Sequence, residues 1–178
     1  MADNPAVMML VTSAAAGFVD GVDYVLSLGV DVNAPYVGTT ALCMACSVGQ
    51  SQCAERLLAA GADHSIRVLL NPFLPNGWTP LHLAAGIDSP GHTECVGALL
   101  QGGADPCAAS GQDGSTALHI AARYASVEAV RLICEAAHRQ VSMAQPCCWL
   151  ILVLQIMLVE YATQTVCHLF ALRTGTPC

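Results

Sequence analysis

The sequence predicts an all-α solenoid, built from stacked helix–loop–helix units joined by hairpin-like loops. One segment recurs as Gly38-Thr39-Thr40-Ala41-Leu42-Cys43-Met44-Ala45-Cys46, Gly77-Trp78-Thr79-Pro80-Leu81-His82-Leu83-Ala84-Ala85 and Gly114-Ser115-Thr116-Ala117-Leu118-His119-Ile120-Ala121-Ala122. The steps of 39 and 37 residues between these copies are those of a stacked array. Each copy holds a Thr whose hydroxyl can cap a helix, and Pro80 suits a first helical position, where a missing N–H costs nothing. The Leu and Ala residues that follow supply a buried face, small enough at the alanines for a second helix to approach closely. A lone helix pair cannot hide such a face, so neighbours must stack on it.

Residues 5–37 read as a worn first unit. Its helices are expected at Ala6–Ala16, ended by Gly17, and at Val19–Leu28, with Val22, Val25 and Leu26 inward. Gly29-Val30-Asp31-Val32-Asn33-Ala34 closes it, with Gly for a left-handed helix end and Asp and Asn for the turn. The unit lacks the Thr-Pro-Leu-His signature, as terminal repeats do when one face meets water. Residues 38–76 follow, with a second helix about Gln52–Ala60 and then Gly61-Ala62-Asp63. Val68-Leu69-Leu70-Asn71-Pro72-Phe73-Leu74-Pro75-Asn76 is expected to be an extended loop offering apolar side chains, because two prolines forbid regular structure.

The unit 77–113 carries an extra Asp88-Ser89-Pro90 between its helices, then Gly91-His92-Thr93-Glu94 as a turn, a helix about Glu94–Gln101, and Gly103-Ala104-Asp105. Residues 114–146 complete the array without insertion. Ala125 stands where the inter-helix Gly belongs and Ala137 where the final one does, which weakens the stop signal.

With Gly-x-Thr-Pro-Leu-His-x-Ala-Ala, Gly-His-x-Glu and Gly-Ala-Asp at these offsets, the chain resembles the ankyrin-repeat family over about 80% of its length (residues 5–146). The resemblance implies a curved solenoid whose partners bind a concave face made of loop tips and the exposed side of each first helix. It implies that His82 and His119 are buried residues tying one unit to the next, and that Cys43 leaves one such tie missing. Carried over by position, the implied partner-binding residues are Tyr36, Val37 and Thr39 at one tip, Asn76 and Trp78 at the next, and Gln112, Asp113 and Ser115 at the third. First-helix positions add Ser47 and Val48, Ile87 and Asp88, and Arg123 and Tyr124. Trp78 is the expected anchor, flanked by the Phe73 loop, because Trp, Tyr and Arg dominate interface energetics. Packing of Trp78 on the neighbouring loop is the alternative.

Residues 147–178 carry no repeat signature. The run Cys147-Cys148-Trp149-Leu150-Ile151-Leu152-Val153-Leu154 is apolar, yet a spanning helix wants roughly 20 such residues. Glu160, Gln164 and His168 then fall on one helical face, opposite Val159, Ala162, Val166, Leu169 and Phe170. Three readings stay open: a degenerate capping repeat, a membrane segment, or an appended tail never selected to fold. In the last, the window 149–154 is an aggregation hazard.

Composition sets the chemistry. The chain is 178 residues, 54% apolar and 11% charged, with net charge −7, and its six basic residues are all Arg. With no basic cluster, nucleic acid is not an expected partner. A basic or apolar segment of another protein is favoured, since acid outnumbers base. Of ten Cys, Cys43, Cys46, Cys53, Cys95 and Cys134 stand where the repeat wants small apolar side chains, which argues for buried thiols in a reducing compartment. The opening Met1-Ala2-Asp3-Asn4-Pro5 has no basic region that would start a signal peptide, so a cytoplasmic protein is expected, with the nucleus left open. Cys43 and Cys46 share a helix face without a second ligand pair at a finger-like spacing, and Cys147-Cys148 with His168 makes no better metal site. No phosphate loop, serine elbow or carboxylate pair is present. The expectation is a monomeric, non-catalytic protein-binding module without cofactor or metal. The alternatives are a substrate-recruiting adaptor of a ubiquitin ligase complex and a membrane-tethered scaffold using 147–172.

Overall fold

Capping chemistry starts the first helix of each unit where the repeats require it. The computed structural model describes residues 4–69, 71, 74–111 and 114–140. Among these lie eight α-helices: α1 (Pro5–Ala16), α2 (Val19–Ser27), α3 (Ala41–Val48), α4 (Ser51–Ala59), α5 (Pro80–Ala85), α6 (Pro90–Gln101), α7 (Ala117–Arg123) and α8 (Val127–Gln140). Asn4 caps α1 by accepting from the Ala6 N–H at 3.1 Å, and Thr40 caps α3 by accepting from Cys43 N–H at 3.3 Å. The helix α6 begins at Pro90, four residues before the expected start, because Ser89 is extended and Pro90 sits in the first turn. Thus Gly91-His92-Thr93-Glu94 is helix rather than turn.

The first helices stack in the order α1, α3, α5, α7, and the second helices pack as α2, α4, α6. Alanine and cysteine make this approach close: Ala45, Cys46, Ala84, Ala85 and Ala121 are buried, and Leu10, Leu42, Leu57, Leu81, Leu99 and Ile133 fill the space between layers. All six residues of α5 are buried. In the first unit Val22 and Val25 are fully buried as expected, whereas Leu26 is only half-buried.

The turn between paired helices uses a left-handed residue in three units, whereas Gly86 in the unit lengthened by Asp88-Ser89-Pro90 is right-handed. Gly17 (φ 74) and Gly49 (φ 76) supply the left-handed residue, and Ala125 adopts the same region at φ 57 with a Cβ attached. Replacing Ala125 by Gly is therefore expected to stabilise the fold by roughly 0.5–1 kcal/mol, the left-handed penalty less the added chain entropy. A lower urea midpoint for A125G would refute this. At the other end of the unit, α8 runs through Ala137 to Gln140 with no glycine stop.

Packing divides the chain after Ala137, with residues 1–137 forming one compact unit. The second comprises 138–178, of which only 138–140 are described. The expected boundary at 146 and the three readings of the tail lie outside the described residues. No helix among the described residues is long and apolar enough to cross a membrane.

Candidate partner-binding face

Three histidines show how the stack is tied before any partner arrives. His82 is fully buried. Its Nδ1 accepts from the Thr79 N–H at 3.3 Å and lies 2.7 Å from Thr79 Oγ1. An accepting Nδ1 leaves the proton on Nε2, which donates to the Ser115 carbonyl of the next unit at 3.0 Å. His92, inside α6, reaches the other way: its Nε2 lies 3.3 Å from the Ser47 carbonyl, with Ser89 Oγ at 2.7 Å from Nδ1. His119 makes the same local pair with Thr116, at 2.8 Å from its Oγ1. It is nevertheless exposed, which corrects the expected burial. Among the described residues no later loop stacks over it. Cys43 retains a weak contact in place of the missing histidine, its Sγ lying 3.8 Å from the Ile66 carbonyl.

The loops that carry the tips are built by a repeated turn. Asp31, Asp63 and Asp105 each accept from the backbone N–H two residues on, at 2.9, 2.7 and 2.9 Å. The Ser65 hydrogen bond holds the Asp63 carboxyl below its usual range. Successive loops are then joined. Asn33 Oδ1 accepts from the Asp63 N–H at 2.7 Å, and Leu69 N–H donates to the Gly38 carbonyl at 2.8 Å. Gly111 N–H donates to the Gly77 carbonyl at 3.1 Å. Arg67 spans two units by donating to the carbonyls of Gly77 at 2.9 Å and Ala109 at 2.7 Å. Val68 exchanges backbone hydrogen bonds with Gly77 and Trp78. It is fully buried, so among the described residues of that loop Val68 belongs to the core, and Leu69 is an exposed apolar side chain.

The expected contact residues divide into three groups. Val48, Ile87 and Tyr124 are 48%, 47% and 52% exposed. Each stands eight residues after its capping Thr (Thr40, Thr79, Thr116), so one exposed apolar side chain recurs at one register in three successive units. Asp88 and Arg123 are exposed beside them, and Ser47 is half-buried. Asp88 accepts from Ser126 Oγ at 3.3 Å. At the tips, Val37 is 51% exposed, while Tyr36, Asn76, Trp78 and Ser115 are partly buried. Trp78 is turned partly inward, its ring centroid 6.2 Å from that of His82 and tilted by 41°. Thr39 is buried, so it braces the turn through its backbone exchange with Tyr36 and offers no side chain to a partner. The full burial of α5 leaves that unit's first-helix contribution to the residues that follow its end, Ile87 and Asp88. Phe73, Gln112 and Asp113 lie outside the described residues. Leu69 was missed as a single contact because it sits inside an apolar run that carries no periodic signal.

Most of the described thiols are enclosed. Cys43, Cys46, Cys53 and Cys95 are buried and unbridged, Cys134 is half-buried rather than buried, and Cys107 is exposed. A shared hydrogen bond pushes the Cys46 thiol up, with burial adding to it, and draws Cys95 down. Burial pushes Cys43 up. Protonated, enclosed thiols are poor nucleophiles. Among the described residues no three His, Cys, Asp or Glu side chains gather as a metal site.

The same residues match known families. The family model for ankyrin repeats in three copies matches residues 64–143, and the single ankyrin-repeat model matches residues 37–68. The chain is similar to ankyrin repeat and SOCS box protein 16 of Homo sapiens, at 33% identity over 113 residues. That match takes in 64% of this chain and 23% of the relative, so the chain spans less than a quarter of the curated protein it matches.

Proposed function

We propose, from the premise that this chain belongs to the ankyrin-repeat family, that it holds a partner protein on the face formed by its loop tips and first-helix ends. Ankyrin repeats are protein–protein interaction modules. The observation that carries the choice of face is the apolar row Val48, Ile87 and Tyr124, repeated at one register. Buried core residues cannot vary without loss of stability, but this row contributes little to the fold. Serine at each of the three positions is expected to shift unfolding by no more than about 0.5 kcal/mol. The triple variant is expected to lose binding to a partner captured by the wild type and then purified. Equal calorimetric binding to both proteins would refute the proposed face.

The ubiquitin-ligase adaptor is a second reading, favoured by the similarity to a protein whose name includes a SOCS box. Co-purification of ligase subunits with the full chain supports it. A full chain that captures a substrate but no ligase subunit removes it. The membrane-tethered reading depends on residues outside those described.

A further inference from the structure

The turn Tyr36-Val37-Gly38-Thr39 breaks two local rules at one residue. Tyr36 and Thr39 exchange both backbone hydrogen bonds, at 2.8 and 3.1 Å. The two residues between them have positive φ, 48° at Val37 and 72° at Gly38. A two-residue turn of this hand prefers Asn-Gly, because Asn tolerates the left-handed region. A β-branched residue there is an outlier. Val37 is also an apolar side chain left 51% exposed, so neither conformation nor burial explains its presence.

The strained turn is held from outside. The Val37 carbonyl accepts from Asn71 Nδ2 at 2.9 Å and the Gly38 carbonyl from Leu69 N–H. Strained residues persist when their surroundings over-determine them, and they gather at binding sites. The same bond that fixes Gly38 brings Leu69, 63% exposed, to the neighbouring tip. No charged residue occurs from Val32 to Ala54 or from Val68 to Ile87. The nearby Arg67 donates to the Gly77 and Ala109 carbonyls, so a charged partner side chain buried on Val37 and Leu69 would be desolvated against apolar surface, whereas an apolar one would not.

We propose that Val37 and Leu69 form a preset apolar docking point for an uncharged, apolar segment of a partner protein. The proposal rests on the protein-binding reading above and narrows it to one end of the face. The rigid backbone holds the two side chains ready, so docking orders little new chain.

The test uses the full 178-residue chain and a phage-displayed library of random short peptides as the probe. Val37→Asn keeps the turn and relieves it, so its urea midpoint is expected to rise. Enriched peptides are expected to be apolar and uncharged, and to lose about tenfold or more in affinity with both V37N and L69S. A lower midpoint for V37N overturns the strain argument, and enriched peptides rich in Lys, Arg, Asp or Glu overturn the occupant. Peptides that keep their affinity for V37N and L69S but lose it with I87S and Y124S overturn the docking point while leaving the wider face intact. No enrichment, or binding indifferent to both sets, overturns both.

Discussion

Replacing Gly38 by Ala is expected to lower stability by about 3–4 kcal/mol. At φ 72 an added Cβ would stand 1.7 Å from the Leu69 carbonyl oxygen. That oxygen is backbone and cannot rotate away. The left-handed conformation costs an L-residue about 1–2 kcal/mol, and displacing the loop breaks the Leu69 to Gly38 hydrogen bond at about 1 kcal/mol more. The remainder is the shift of Val68, whose buried side chain moves with Leu69. Gly29 is the control: it has φ 75 but nothing within 4 Å of an added Cβ. Gly29→Ala should cost only the conformational part, roughly 0.5–1 kcal/mol once the chain entropy lost from the unfolded state is set against it. Urea midpoints measured at equal m-value decide the matter, and equal losses for the two variants would show that the approach of the two loops is unimportant.

His82→Ala is expected to cost about 3 kcal/mol or more, against less than about 1 kcal/mol for His119→Ala. The two side chains make the same local pair with their capping threonines, at 2.7 and 2.8 Å from Oγ1. They differ in burial and in what Nε2 meets. Removing His82 leaves a cavity in a fully buried site, strands the Thr79 N–H and takes from the Ser115 carbonyl one of its donors, the other being the Ser110 N–H. His119 is exposed, so water replaces what is lost. His82→Gln offers a partial rescue, since an amide can still donate across to the carbonyl. Thermal unfolding that ranks the two alanine variants equally would mean that the link between units contributes nothing.

Much of this was legible because short-range chemistry and fold agree. Thr40, Thr79 and Thr116 mark helix starts through their own hydroxyls, and the Leu and Ala spacing gives the buried face without knowledge of any neighbour. The start of α6 departs from the repeat spacing for a physical reason: the inserted Asp88-Ser89-Pro90 is itself a good helix start, with Ser89 extended and Pro90 in the first turn. The exposure of His119 depends on what stacks after it, which no local pattern encodes. The candidate face was legible as positions, because register alone selects Val48, Ile87 and Tyr124. Its tip was not. That Val68 turns inward while Leu69 turns outward depends on hydrogen bonds to Gly77, Trp78 and Gly38, from loops that the periodicity cannot place. The burial of Thr39 follows from the same pairing.

The links between units are mostly made without pairs of opposite charge: backbone amides and carbonyls, hydroxyls, an amide side chain and imidazoles, with the charged groups of Arg67, Glu94 and Asp88 each bonded to neutral partners. Among the described residues one pair of opposite charges joins two repeats, Arg56 with Asp23 at 3.6 Å, and both are well exposed. Dissolved ions screen exposed charge over about 8–10 Å and act little on buried neutral bonds. Cohesion of the array therefore leans little on pairs of opposite charge. Ionic strength can reset how fast a charged partner approaches this acidic surface while the scaffold that receives it keeps its shape.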